Sequence, residues 1–317
     1  MNSLIEEIEA GSYGEFRKNE SMKNHSTMAI GGIAKVMIIP KDIDSLVEII
    51  QRTKIEKLDY FVIGKGSNTI FPDGEINTLI IKISNTLDDF CQEGNVIKVG
   101  AGFPVAKLAK QMSKNGFIGL EFAAGIPATV GGAVYMNAGA HLSEMSNVVK
   151  NVRTIENGKL KNYNLEECQF GYRKSIFQNN NNIIVEVEFE LKPGNGISEF
   201  KKMAGNLEYR KEKQPLDLPS CGSVFRNPDN NHAGKLIEEC GMKGLIIGGA
   251  QVSEKHANFI VNIDGAKASD VKVLIDKIKE EVKKQKGIKL VAEIDFAEIK
   301  WVIKNLYGMK LQVRKKH

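Results

Sequence analysis

Ser223 is the first candidate for chemistry, because a serine hydroxyl can act as a nucleophile or donate a proton. It lies within residues 219–228, between a glycine and a valine, and Asn227 follows four residues later. The segment is not the Gly-x-Ser-x-Gly elbow of serine hydrolases, since Phe225 stands where the second glycine belongs. No histidine and acid lie in a recognisable triad arrangement with it. From these residues alone, a serine in a turn is the simpler interpretation.

Three further places carry charge that could bind or polarise an anionic substrate. Arg173 ends the run Gly-Tyr-Arg, and an arginine among aromatic residues either stacks on a ring, pairs with an acid or binds a ligand. Residues 209–215 form a basic cluster, which suits a diphosphate but is also typical of a solvated surface. Glu293 follows an apolar pair, so it faces either solvent or a site.

Three glycine-rich segments could hold a phosphate, because glycine lets backbone N–H groups approach an anion closely. Residues 64–68 and 100–105 each follow a predicted strand. Neither completes the dinucleotide fingerprint, since Thr69 and Val105 stand where the third glycine belongs, and a tight turn is the alternative for both. Residues 124–140 are small and uncharged, and they are long for a purely structural loop. They favour close packing against a bulky, flat ligand.

Alternating strands and helices must position these residues. Apolar runs predict strands at 60–63, 79–83 and 96–99, and helical spacing predicts helices over 43–50 and 105–115. Gly116 is placed to end the second of these helices. These elements alternate only locally, which indicates an α+β or mixed α/β fold.

Three further segments of the sequence predict local structure. Residues 1 to about 22 predict one polar helix and a lead-in. Val185, Val187 and Phe189 alternate with glutamates, which predicts a strand with one exposed face. Ser269 is placed to cap a long helix near the C-terminus.

The composition is that of an ordinary globular protein. The 317 residues suffice for two or three domains, and 42% hydrophobic with 26% charged residues exclude a mainly disordered or fibrous chain. The net charge of +5 is too diffuse to indicate nucleic acid and suits an anionic small substrate equally well. Four cysteines without a C-x-x-C pair or a histidine at ligand spacing predict no metal site. An acidic N-terminus and the lack of about 18–20 consecutive apolar residues predict a soluble, cytoplasmic protein without a transmembrane segment.

Short motifs in a fixed order carry a family resemblance. They are Asn24-His25-Ser26-Thr27, Ile30-Gly31-Gly32, Gly64 to Asn68, Gly125-Ile126-Pro127 through Gly139, Gly171-Tyr172-Arg173, Gln214-Pro215 to Pro228, Lys243-Gly244, Gly248-Gly249-Ala250-Gln251-Val252-Ser253 and Lys255 to Asn262. Each motif is modest by itself, but the ordered set is specific. Over roughly residues 20–298 the chain resembles the UDP-N-acetylenolpyruvoylglucosamine reductase (MurB) family.

The resemblance implies an α+β fold with three domains and a tail. A two-part FAD-binding module of the vanillyl-alcohol-oxidase/MurB (PCMH) type precedes a C-terminal α+β substrate domain. The implied ranges are 1–84 for the first FAD-binding subdomain, 85–208 for the second, 209–298 for the substrate domain and 299–317 for a basic and aromatic tail, with the PCMH-type module at about 30–194. No insertion of the size expected for the family's extra tyrosine-bearing loop is present, which favours the shorter subtype.

The resemblance also implies the reaction. NADPH would reduce FAD, and the enolpyruvyl sugar UDP-N-acetyl-3-O-(1-carboxyvinyl)-glucosamine would then enter the same pocket. The reduced flavin N5 would deliver hydride to C3 of this substrate, and an acid would protonate C2 to give UDP-N-acetylmuramate, a peptidoglycan precursor. Another flavin oxidoreductase of the same superfamily and a non-catalytic UDP-sugar sensor are the alternatives.

The family's functional residues carry over to matching positions of this sequence. Arg173 would hold the enolate-like charge, Glu293 would help to stabilise it in a protonated form, and Ser223 would donate the proton. Tyr209, Arg210, Lys213 and Asn227 match or neighbour substrate-binding positions, with Arg210 and Lys213 assigned to a diphosphate or carboxylate. The positions implied to bind FAD are Gly64, Lys65, Gly66, Ser67, Asn68, Thr69, Ala124, Gly125, Ile126, Pro127, Thr129, Gly131, Gly132, Asn137, Ala138 and Gly139.

Overall fold

The computed structural model describes residues 3–180 and 182–297, which form three units of sheet and helix around one cavity. The mixed content of helices and strands confirms the predicted α+β class. The predicted tail, 299–317, lies outside the described residues. All four cysteines are free thiols. Within the described ranges, every helix is too short or too polar to cross a membrane.

The first unit contains α1 (Ser3–Glu9), β1 (Gly14–Ser21), β2 (Ile33–Pro40), α2 (Ile43–Glu56), β3 (Tyr60–Ile63), β4 (Thr69–Ile70), β5 (Glu75–Ile76) and β6 (Leu79–Lys82), with a 3-10 turn at Met22–His25. Its main sheet has the order β1-β2-β6-β3, in which only β1 runs antiparallel to its neighbour. The strands predicted at 60–63 and 79–83 and the helix predicted over 43–50 are confirmed. The Asp42 carboxylate begins α2 by accepting a hydrogen bond from the Ser45 N–H at 2.7 Å.

The N-terminal prediction of one helix and a lead-in misses strand β1. The helix ends at Glu9, and Gly11 and Gly14 follow at φ +78° and +147°, where glycine is favoured. Among the strands that the structure describes, β1 pairs only with β2 and lies at the edge of its sheet. Because one edge and one face of such a strand remain wet, polar side chains are tolerated there. The polar composition of this segment led to the prediction of a lead-in. The segment forms a strand instead, because it pairs with the more buried strand β2.

The second unit contains β7 (Phe90–Glu93), β8 (Val96–Gly100), α3 (Val105–Lys114), β9 (Phe117–Ile118), α4 (Val130–Tyr135), β10 (Gly139–Ala140), β11 (Ser143–Glu144), β12 (Val149–Glu156), β13 (Lys159–Asn164), β14 (Ile183–Glu190), β15 (Lys192–Pro193) and α5 (Ile197–Lys213), with 3-10 turns at Glu121–Gly125, Met145–Asn147 and Ile176–Gln178. Its main sheet is antiparallel in the order β13-β12-β14-β8-β7. Val185, Val187 and Phe189 of β14 are fully buried, which confirms the predicted alternation. Gly116 lies at φ +79° just after α3, as predicted. Helix α5 runs across the implied boundary at 208/209.

The third unit contains β16 (Ser220–Ser223), α6 (Ala233–Glu239), β17 (Ile246–Ile247), β18 (Ala250–Val252), β19 (Phe259–Asn262), α7 (Ala268–Lys286) and β20 (Asp295–Phe296). Its sheet is antiparallel in the order β16-β19-β18-β17, and the apolar face of α7 is buried against it. The predicted cap at Ser269 is wrong, because this residue lies inside the helix. Instead, the Asp73 carboxylate of the first unit accepts hydrogen bonds from the Ala268 and Ser269 N–H groups at 2.9 and 3.2 Å.

Replacing Asp73 by alanine is expected to lower the free energy of unfolding by about 1 kcal/mol, since two N–H groups at the start of α7 lose their acceptor. Ser269→Ala is the matched control and should change stability little. Urea denaturation followed by circular dichroism compares the two variants with the parent protein. A loss for Ser269→Ala as large as that for Asp73→Ala would contradict the capping role of Asp73.

The third unit is anchored directly to the first. Strand β20 pairs in parallel with β4, and the Thr27 hydroxyl donates to the Ser220 carbonyl at 2.7 Å. Met28, Ile30 and Ile70 of the first unit belong to the apolar core of the third. Ser220 is therefore held against Thr27, and residues 295–296 are held against Thr69 and Ile70.

Candidate active site

A cavity of about 1160 Å³ lies where the three units meet. This volume exceeds the roughly 300–1,000 Å³ that is common for sites of single small ligands. The implied site residues that line it are Gly64, Lys65, Gly66, Ser67, Asn68, Thr69, Ile126, Pro127, Thr129, Gly131, Gly132, Ala138, Gly139, Arg173, Tyr209, Arg210, Ser223, Asn227 and Glu293. Residues that are far apart in sequence are thus brought to one cavity.

Arg173 reaches the cavity from the tip of a tight turn. Gly171 and Lys174 exchange two backbone hydrogen bonds across this turn, at 2.9 and 3.1 Å. Arg173 itself adopts φ +56°, a left-handed conformation that disfavours a residue with a side chain. Strain of this kind persists where the surrounding structure imposes it, and such places are often functional. The strained turn is therefore an independent indication of a functional role for Arg173.

The guanidinium of Arg173 forms an ion pair with Glu293. Its Nε lies 2.8 Å from Glu293 Oε1, and its terminal nitrogen donates to the Gly139 carbonyl at 2.7 Å. Both side chains are mostly buried, with 17% and 16% of their surfaces exposed. Burial raises the pKa of Glu293, although the nearby Arg173 and Arg226 guanidiniums act to lower it. The carboxyl group therefore holds a proton to higher pH than an ordinary glutamate does.

Backbone contacts fix the position of Glu293 from two sides. Its N–H donates to the Val224 carbonyl at 2.8 Å, next to Ser223 at the end of β16. Its carbonyl accepts a hydrogen bond from the Asn68 amide at 3.1 Å, and Asn68 belongs to the glycine-rich loop after β3. Ser223, Glu293 and this loop therefore form one connected wall.

Two glycine-rich segments, 64–69 and 126–139, supply much of the cavity lining beside this wall. A Cβ atom at Gly64 would lie 2.5 Å from the Thr129 hydroxyl, and one at Gly66 would overlap the His25 carbonyl oxygen. Thr129 is buried and caps α4 by accepting from the Gly132 N–H at 3.2 Å. The backbone of 64–69 is thus exposed to the cavity on one side and packed tightly behind. This arrangement fits FAD, because bare backbone can approach its diphosphate and its flat rings.

Four implied ligand residues do not line the cavity: Ala124, Gly125, Asn137 and Lys213. Asn137 is fully buried and binds the Gly171 carbonyl and the Ser146 N–H, each at 2.9 Å, so it supports the turn that carries Arg173. Lys213 is largely exposed and pairs with Glu212 at 2.6 Å. The Gly125 carbonyl accepts a hydrogen bond from Arg210.

Arg210 provides positive charge beside the cavity. It donates to two neutral acceptors, the Gly125 carbonyl and the Gln214 amide oxygen, and burial lowers its pKa. Neither acceptor neutralises the guanidinium, so the site suits an anionic group. Tyr209 precedes it on α5 and lies edge-on to the His141 ring at 5.9 Å. Asn227 lines the same cavity and also accepts from the Ala233 N–H at 3.0 Å, at the start of α6.

Among the cavity-lining residues that the sequence did not single out are His141 and Asn258. His141 and Leu142 form the turn between β10 and β11 and both have positive φ, at +51° and +62°. No glycine marks this turn, so the sequence carries no local signal for it. Asn258 lies within a recognised motif, yet only its contacts reveal what it does.

Replacing Gly66 by alanine is expected to weaken FAD binding at least about tenfold, because the new methyl group must displace the His25 backbone and move the loop. Gly74→Ala is the matched control. Gly74 also has a positive φ, at +85°, but an added Cβ would meet nothing within 4 Å. Titration of the apoproteins with FAD, followed by flavin fluorescence, compares the two. Equal weakening by both variants would contradict the crowding argument.

Comparison with known proteins assigns this chain to a family. The C-terminal domain of UDP-N-acetylenolpyruvoylglucosamine reductase matches residues 214–297, and an FAD-binding domain matches residues 34–161. A UDP-N-acetylenolpyruvoylglucosamine reductase of Halalkalibacterium halodurans is 45% identical over 296 residues, which cover 93% of this chain and 98% of the relative. The chain belongs to the UDP-N-acetylenolpyruvoylglucosamine reductase family.

Further reductases agree with this assignment. The Bacillus subtilis reductase is 42% identical over 297 residues, covering 93% of this chain and 98% of the relative. The crystal structure of the reductase (MurB) from Thermus caldophilus superposes with a TM-score of 0.76 at 32% identity, over 89% of this chain and 98% of that one. The resemblance stated from the ordered motifs is therefore confirmed, and with it the FAD-binding module followed by a substrate domain.

Proposed function

We propose that this protein uses NADPH and FAD to reduce the enolpyruvyl ether of UDP-N-acetylglucosamine to UDP-N-acetylmuramate. The observation that carries the proposal is the convergence of Arg173, Glu293 and Ser223 on one wall of the cavity, joined to the glycine-rich loop through Asn68. Family membership supplies the reaction, and this wall supplies side chains that suit it.

The glycine-rich segments 64–69 and 126–139 are the proposed FAD site. The parts of these segments that line the cavity would hold the diphosphate and the rings, and the room in the cavity suits a second ligand beside them. FAD held there would supply hydride chemistry at the vinyl carbon of the substrate, with NADPH as the source of the hydride. NADPH and the sugar would occupy the remaining space in turn.

Arg173 and Glu293 act where negative charge develops. Hydride addition to C3 of the enolpyruvyl group leaves an electron pair that spreads from C2 onto the attached carboxylate. Arg173 already donates to two acceptors and can offer its remaining N–H groups to that carboxylate. A protonated Glu293 adds a hydrogen-bond donor at the same place, and burial favours this protonated form. The pair would thereby lower the barrier to the enolate-like state.

Ser223 completes the reaction by giving a proton to C2. The new C–H bond forms as the serine O–H bond breaks, and the serine recovers its proton from solvent. A serine is a weak acid, but a carbanion is a strong base, so position is more important than acidity here. Arg210 beside the same cavity would hold the diphosphate or carboxylate of the sugar nucleotide.

The absorbance spectrum of the purified protein tests the proposal. NADPH added without oxygen should bleach a flavin spectrum, and the enolpyruvyl sugar added afterwards should restore it. Bleaching without recovery would instead indicate a flavin oxidoreductase with another acceptor. A protein that stays colourless after incubation with FAD would overturn the reductase proposal and leave a UDP-sugar sensor.

A further inference from the structure

Asn258 is a buried amide whose two polar side-chain atoms both bind the backbone of one residue. Its Oδ1 accepts from the Phe225 N–H at 2.9 Å, and its Nδ2 donates to the Phe225 carbonyl at 2.8 Å. Its own carbonyl accepts from the Val224 N–H at 2.8 Å. Only 4% of the residue is exposed. Three hydrogen bonds thus hold residues 224–225 against Asn258.

This amide continues the sheet where regular strand pairing stops. β16 and β19 pair at Ser220 with Val261 and at Ser223 with Phe259, and the register is irregular between these points. Asn258 lies just before β19 and faces the residues just after β16. A side-chain amide offers one donor and one acceptor, as a backbone residue does, so it can replace a missing strand partner.

The other side of the same segment carries Glu293. The Val224 carbonyl accepts from the Glu293 N–H at 2.8 Å, and Phe225 forms a bridge to Ala292. Residues 223–226 therefore lie between Asn258 and residues 291–293. Any shift of the Phe225 backbone moves the Val224 carbonyl, and with it both Ser223 and the backbone of Glu293.

We propose that Asn258 is a positioning residue that holds Ser223 and Glu293 in register with each other for the protonation step. Both side-chain atoms are engaged with Phe225, so Asn258 acts through this backbone and not as a donor to the ligand. The inference rests on the proposed function, because it assigns Asn258 to the half-reaction with the sugar.

Asn258→Asp tests this role through its pH dependence. An ionised aspartate still accepts from the Phe225 N–H, but its other oxygen faces the Phe225 carbonyl and repels it. A protonated aspartate regains a donor, so both hydrogen bonds to the Phe225 backbone can form again. We expect the sugar to reoxidise the reduced flavin about 10–100-fold more slowly than in the parent protein when the aspartate is ionised, and at a near-parental rate at acidic pH.

At each pH, the rate at which the sugar reoxidises the flavin of the variant is divided by the same rate for the parent protein. This ratio is needed because other groups near residue 258 also titrate. His256 accepts from the Asn258 N–H through Nδ1 at 3.2 Å, and Arg173 and Arg226 act on Glu293. Burial lowers the pKa of His256, which disfavours the protonated form of its ring. Dividing by the parental rate removes the titrations that both proteins share.

Asn262→Asp is the matched control. This asparagine is the last residue of β19, and its side chain also binds backbone on both sides, donating to the Met28 carbonyl at 3.1 Å and accepting from the Ala266 N–H at 3.0 Å. The partners of its side chain, Met28, Ala29 and Ala266, lie outside residues 223–226, so acid should not selectively restore the rate of this variant with the sugar.

The two half-reactions separate the outcomes. Asn258→Asp should leave flavin reduction by NADPH near the parental rate and slow only reoxidation by the sugar. Equal loss in both half-reactions, or a ratio that does not change with pH, would overturn the positioning role. A parent protein that the sugar fails to reoxidise would overturn the proposed function and this inference with it.

Discussion

Ser223→Ala is expected to slow reoxidation of the reduced flavin by the enolpyruvyl sugar by about 10²–10⁴-fold, the usual contribution of a positioned proton donor. Flavin reduction by NADPH should stay close to the parental rate, because that step needs no proton from this wall of the cavity. Anaerobic stopped-flow absorbance measures the two half-reactions separately. The hydroxyl lies beside Val224, whose carbonyl holds Glu293 at 2.8 Å, so its loss removes the proton without moving the glutamate.

Ser223→Cys is the informative companion. A thiol keeps a proton at the same place and is a stronger acid than an alcohol, so it should retain more of the sugar half-reaction than alanine does. Equal loss of both half-reactions in Ser223→Ala would show that the serine is structural. Indistinguishable rates for the cysteine and alanine variants would contradict proton donation.

Local sequence patterns predicted the helices and strands whose buried residues recur at a regular spacing along the chain. Helix α2 and strand β14 were predicted because their apolar residues recur at helix and strand spacing on a buried face. Strand β1 was missed because an edge strand needs little apolar surface. The cap of α7 was assigned to the wrong residue because Asp73, its actual partner, lies 195 residues away in sequence. Partners distant in sequence leave no local pattern.

In the candidate site, too, residues that are distant in sequence are in contact without any local pattern that would indicate it. Arg173 and Glu293 are separated by 120 residues, and each alone had an ordinary interpretation as a stacked or surface residue. Only the ordered family motifs brought them together with Ser223. The motifs could not show that Asn137 supports the Arg173 turn from the protein interior, since a polar residue in a glycine-rich loop suits a ligand equally well. Burial and hydrogen-bond partners decide such cases.

The hydrogen bond between Asn68 and the Glu293 carbonyl joins the proposed FAD loop to the proposed catalytic glutamate. Asn68 belongs to the glycine-rich loop, and its amide holds the Glu293 carbonyl at 3.1 Å while its own carbonyl accepts from the Asp295 N–H at 2.9 Å. Strands β4 and β20 then continue this pairing. A loop that is ordered by FAD would therefore also order the segment that carries the glutamate. The proposed catalytic wall and the proposed FAD site therefore share one hydrogen-bonded stretch of backbone.

Arg173→Ala is expected to lower kcat by about 10²–10³-fold, the range for loss of one group that stabilises an oxyanion. The variant should also move the pH profile of the sugar half-reaction. Burial raises the pKa of Glu293 and the Arg173 charge lowers it, so removing Arg173 raises that pKa further. If the protonated glutamate is the active form, the decline in rate at high pH shifts to still higher pH. A profile that keeps its position while kcat falls would contradict this coupling.

Two companion variants separate charge from backbone strain at Arg173. Arg173→Lys keeps the charge but loses the planar fork, so it should recover the position of the pH profile better than it recovers kcat. Arg173→Gly and Arg173→Ala both lose the guanidinium, yet only alanine retains a Cβ at φ +56°. The glycine variant should therefore be more stable than the alanine variant by about 1 kcal/mol in urea denaturation, with equally low activity. Equal stability of the two would show that the turn relaxes when the ion pair is lost, and that Glu293 and Gly139 impose the strained conformation through the arginine side chain.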